Sequence, residues 1–110
     1  MTKITIKQHD TKITFTDTPT IDGVPMTSGD LTGCTLSWIL KGTADDGTAV
    51  AIKQAAVITG AAKFSYDPVA GDVALTGKFK QEWELVFPSG KILTFPNNGY
   101  NAVKILADLG

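Results

Sequence analysis

One histidine, one cysteine and two glutamates are the scarce residues of this chain that would carry enzymatic or metal chemistry, and their spacing assembles no catalytic set. His9 sits beside Asp10 at a turn signal, where a solvated imidazole is the ordinary outcome and a general base needs a partner. Ser28, Ser37, Ser65 and Ser89 lie in no Gly-x-Ser-x-Gly elbow, and no motif links them to His9, so a Ser-His-Asp hydrolase has no sequence support. A single Cys and a single His cannot supply the ligands of a zinc site. Asp45-Asp46-Gly47 offers carboxylates to calcium, but the alternating acids and terminal Glu of a helix-loop-helix calcium loop are absent, and the triplet reads as a hairpin turn. Glu82 and Glu84 are two apart, hence on one face of a strand, as a solvated stripe with Lys78 and Lys80 more than as a glycosidase pair. No glycine-rich phosphate cradle occurs. The expectation is a protein that is not an enzyme and holds no cofactor or metal.

Composition narrows the partners. The 110 residues are 43% hydrophobic, enough for one domain spanning 1–110 with its own core. Net charge is −1 and every basic residue is a lysine; without arginine, the bidentate donors that read guanine or grip phosphate are missing. Nucleic acid is therefore not an expected partner. The first residues alternate apolar and polar, as in Ile4-Thr5-Ile6-Lys7, which is neither a signal peptide nor a membrane span, so no membrane partner and folding in a cytoplasm are expected. Cys34, between Gly33 and Thr35 at the head of an alternating segment, reads as a small buried hydrophobe.

The elements that must position these residues are strands. Ile4/Ile6, Ile13/Phe15, Leu36/Trp38/Leu40, Phe64/Tyr66 and Phe79/Gln81/Trp83/Leu85/Phe87 repeat with a period of two. Strands are expected near 3–8, 12–17, 34–41, 49–58, 62–67, 77–87, 91–96 and 101–107. Turns centre on His9-Asp10, Asp45-Asp46-Gly47, Thr59-Gly60-Ala61 and Pro88-Ser89-Gly90. Thr18 to Asp30, with Pro19, Gly23, Pro25 and Gly29, lacks clean alternation and reads as a crossing loop with room for a short bridging strand. The expected fold is all-β, a two-sheet antiparallel immunoglobulin-like β-sandwich with Trp38 as central aromatic and no inter-sheet disulfide. Ala49 to Ile58 is apolar on both faces, interrupted only by Lys53 and Gln54; it is either covered on both sides or meets another subunit, with an Ala-rich helix as a third possibility.

Three stretches carry a resemblance: Leu31-Thr32-Gly33 before an alternating strand, Gly77-x-Phe79-x-x-Glu82-Trp83, and Thr94-Phe95-Pro96-x-x-Gly99-Tyr100-x-x-Val103-x-Ile105. In order and spacing the chain resembles the amino-terminal domain of tailed-phage baseplate upper proteins. That resemblance implies a phage virion structural protein of the tail or baseplate, made in the host cytoplasm and binding other tail or baseplate proteins. Family members usually continue into a helical linker and receptor-binding domains, whereas this sequence stops at Gly110; the expectation is an assembly or connector module, as a small stand-alone tail or neck component, a connector, or a shortened piece of a longer protein. A homo-oligomer is expected. Two places stand out as contacts: Asn97-Asn98-Gly99-Tyr100, which puts an aromatic at a turn, and the apolar strand around Val50 and Ile52. In the last stretch Pro96 is expected to end a strand and Gly99 to let the chain reverse. The rival reading is a β-sandwich binding module for carbohydrate or host-surface adhesion, which needs exposed aromatics that the alternation instead buries.

Overall fold

A computed structural model describes residues 3–21, 23–60, 62–96 and 99–107. Its strands are β1 (Lys3–Lys7), β2 (Phe15–Asp17), β3 (Thr20–Ile21), β4 (Val24–Pro25), β5 (Thr35–Ala44), β6 (Ala49–Ile58), β7 (Phe64–Tyr66), β8 (Gly77–Val86), β9 (Ile92–Phe95) and β10 (Asn101–Leu106). A 3-10 turn, Ala70–Val73, lies between β7 and β8. The chain is all-β. Most strands fall where period-two alternation places them, because each must turn one row of side chains inward; along β8 burial alternates strictly, with Phe79, Gln81, Trp83 and Leu85 inside.

One curled sheet runs in the order β1-β10-β8-β5-β6-β7-β2, with β9 also paired to β8, and β3 and β4 form a separate ribbon. The ribbon occupies the expected crossing loop, and expected strand 12–17 is shorter, beginning only at Phe15. β5 and β8 form the spine, in register from Thr35 opposite Val86 to Ala44 opposite Gly77, with Trp38 facing Trp83. Every pairing is antiparallel except β1 with β10, which is parallel. Curling brings β2 and β7 over the spine. Phe15 and Tyr66 flank Trp38, with ring centroids 5.1 and 4.6 Å away, while Phe64 lies 5.6 Å from Trp83 and 5.4 Å from Phe95.

The expected reversal at Pro96 and Gly99 does not occur. β9 and β10 both run antiparallel to β8, hence in the same direction, and the reversal lies earlier, at the Pro88-Ser89-Gly90 turn. A strand as long as β8 can take two short partners end to end on one edge: Trp83 to Val86 pair with β9, and Gly77 to Gln81 with β10. Trp83 faces Phe95 and Gln81 faces Asn101, so Glu82 alone separates the two pairings along β8. At this joint the Phe95–Pro96 peptide is cis and Gly99 has φ +85°. Buried Asn101 donates from Nδ2 to Gln81 Oε1 at 2.8 Å and to Asp17 Oδ2 at 3.3 Å, tying β10, β8 and β2 together. Gln81, which the alternation sets in an apolar row, is thus a paired polar group inside the core.

Candidate functional site

The residues first considered for chemistry are dispersed. His9 is exposed in a turn with φ 64°, and no hydrogen bond joins it to a serine among the described residues. Among those residues no group of three or more His, Cys, Asp or Glu side chains is placed to hold a metal. Asp45-Asp46-Gly47 is the β5–β6 turn. Asp46 Oδ1 accepts the Thr48 N–H at 2.8 Å, and hydrogen bonds from Thr48 hold its carboxyl below the usual carboxylate range. Cys34 is half-buried, more open than expected, and burial pushes its thiol above its ordinary value, away from the reactive thiolate. Glu84 is occupied by an ion pair with Lys53 at 2.8 Å.

Sequence reasoning missed a buried polar cluster around Asp72. This carboxylate, 5% exposed, has no cationic partner within ion-pair distance among the described residues and is satisfied by neutral donors. The Tyr66 hydroxyl donates to Oδ2 at 2.5 Å, the Val69 N–H to Oδ2 at 3.0 Å, and Gln54 Nε2 to Oδ1 at 3.2 Å. It thereby pins the 3-10 turn to β6 and β7. Nothing in the pattern around Asp72 marks it, since a lone acid between Gly71 and Val73 reads as a loop residue.

Burial, then the Asp72 hydrogen bond and charge, raises the Tyr66 phenol well above its ordinary value of 10. A group whose folded value is raised contributes stability that is intact below the unfolded value and lost above it. The fold should therefore weaken above about pH 10, where unfolded Tyr66 ionises and folded Tyr66 does not, by up to ~1.4 kcal/mol per pH unit. In urea melts at about pH 9 and pH 11, wild type is expected to lose more stability than Tyr66→Phe. Equal losses would show that Tyr66 does not govern the alkaline limb.

The most unusual surface is strand β6. From Ala49 to Ala56 it pairs with β5 on one side, while β7 engages only Val57 and Ile58 on the other. Eight residues of a ten-residue strand therefore present an edge that pairs with no strand among the described residues. Ala49, Ala51, Lys53, Ala55 and Val57 face outward and are exposed, Val57 at 62%. Of the three readings of this segment, the helix is overturned by the strand, and coverage of both faces within one chain is excluded by that exposure. Val50 and Ile52 are half-buried on the other side and line a cleft of about 280 Å³ with Asp72, Leu75 and Phe79. An edge of this length normally carries several charges, a proline or a bulge against unwanted pairing; here Lys53 is the only charge.

Tyr100 is half-buried at the β9–β10 joint, with the Lys80 ammonium 4.8 Å from its ring centroid. β8 and β5 lie between it and β6, so Tyr100 and the Val50–Ile52 strand form two separate surfaces. Asn97 and Asn98, the other expected contact residues, lie outside the described residues. Compared with known proteins, the sequence matches no family model and no curated protein.

Proposed function

We propose that this chain is a structural module of a tailed-phage tail or baseplate that works by protein–protein contact, forming homo-oligomers and docking other tail proteins. The observation that carries the assembly part is the open β6 edge: unpaired backbone donors and acceptors along an apolar strand are a template for adding another strand. The phage part rests on the sequence resemblance, and the fold is compatible with it. Its three stretches meet around β8: β9 and β10 pair along it, and Gly33, at φ +76°, is packed so close to Pro88 that a Cβ there would stand 2.9 Å from the Pro88 ring. The immunoglobulin-like sandwich belongs to the same proposal, supported by β2 and β7 lying over the spine. The carbohydrate-binding alternative has less support, since Trp38 and Trp83 are buried and offer no stacking platform.

Two exposed positions test the edge without touching the core. Ala51→Lys with Ala55→Lys adds the charges that protected edges carry, and is expected to abolish concentration-dependent light scattering while lowering the urea midpoint only slightly, because position 51 faces Lys41 and position 55 faces Ser37. Unchanged assembly would remove β6 from the interface. For the virion assignment, the protein is expected in purified phage particles at fixed stoichiometry; its absence from them would overturn the phage reading.

A further inference from the structure

The outer face of the sheet is sorted by charge. Strand register places Lys3, Ala102, Lys80 and Lys41 in one row across β1, β10, β8 and β5, and Thr5, Lys104, Lys78 and Thr43 in the next, with Lys7 beyond. Six of the ten lysines thus share one end of one face of a chain whose net charge is −1. No carboxylate stands in those rows. The outward acids of β8, Glu82 and Glu84, begin only one row further on, and Glu84 is taken by Lys53. The mixed stripe expected of β8 is in fact divided.

Within the patch, Lys104 directly faces Lys78 and Lys80 directly faces Lys41. Opposed residues have Cβ atoms roughly 4.5–5.5 Å apart, and like charges at that spacing destabilise a sheet. None of these four lysines makes an ion pair with a described residue. Edge protection does not explain them, because β5, β8 and β10 each have strands on both sides. Solvent and salt screen these exposed charges in part, and a counter-charge supplied from outside would relieve what repulsion remains.

We propose that this lysine face docks a carboxylate-rich surface of a partner protein. The inference rests on the protein-contact reading above and names the partner chemistry for a second surface. Lysine is a point charge suited to spread carboxylates, whereas phosphate recognition favours the bidentate arginine that the chain lacks. A cleft of about 280 Å³ between Lys3, Lys80, Lys104 and Tyr100 gives the otherwise flat face a place for a protruding acidic side chain. Tyr100 supplies the aromatic that interface centres favour.

Binding of labelled poly-L-glutamate to the intact chain tests this, beside a DNA duplex of matched charge. Wild type is expected to bind poly-L-glutamate more tightly than the duplex and to lose that binding between about 20 and 300 mM salt. Lys78→Glu with Lys80→Glu is expected to bind about tenfold more weakly. The same double variant should unfold at higher urea, because the reversed charges then face Lys104 and Lys41, which separates lost binding from lost fold. Equal binding by the variant, or no wild-type binding at low salt, overturns the proposal, and tighter binding to the duplex replaces it with a nucleic-acid surface. Light scattering of the same samples keeps the two claims apart: assembly without poly-L-glutamate binding sinks only this inference, and binding by a strict monomer sinks only homo-oligomerisation.

Discussion

Trp83→Ala is expected to destabilise the fold by about 3–5 kcal/mol, the range for removing a buried aromatic and leaving a cavity its neighbours cannot fill. Trp83 is 1% exposed, faces Trp38 across the β5–β8 spine and packs on Phe64 of β7. Phe64 also packs edge-on against Phe95, so the loss would loosen β7 and β9 together. Trp83→Phe is expected to cost much less, because the indole N–H has no hydrogen-bond partner among the described residues to lose. A urea melt checks both. A loss below about 1 kcal/mol for Trp83→Ala would mean that β7 and the β5–β8 spine do not cohere through this ring.

The second large effect lies where the sequence is least informative. Asp72→Ala leaves the Tyr66 hydroxyl, the Val69 N–H and the Gln54 amide without their acceptor, and is expected to cost about 2–4 kcal/mol. Asp72→Asn separates charge from hydrogen bonding. Its single oxygen can keep the two bonds made to Oδ2, while rotation of the Gln54 amide lets that side chain accept from the new NH2 group. Asp72→Asn is therefore expected to retain most of the stability in the same melt. Equal damage by the two substitutions would show that the negative charge, not the acceptor geometry, holds the 3-10 turn in place.

Local alternation made β5 and β8 legible, because the residues that decide them are two apart along the chain, whereas β6, apolar on both faces, left a helix open. Leu36, Trp38 and Leu40 announce an inward row, and the structure buries all three. Pairing between distant segments was not legible. Pro96 and Gly99 mark an interruption equally well whether the chain reverses or resumes along the same edge, and the length of β8 decides between those outcomes. The parallel β1–β10 pair and the Asp72 cluster likewise depend on contacts far apart in sequence. Of the expected contact residues, Val50 and Ile52 lie on the strand with the open edge but face its inner side. The exposed positions are their neighbours Ala51, Lys53 and Ala55, because a one-residue step along a strand changes face. The division of charge on the outer face was hidden for a similar reason: Lys41, Lys80 and Lys3 become neighbours only through register.

Sedimentation velocity over a concentration series reads assembly through the exposed β6 edge directly. The expected result is a mass above that of the monomer that rises with concentration and collapses to the monomer in Ala51→Lys with Ala55→Lys. A wild-type chain that stays monomeric at every concentration would contradict it.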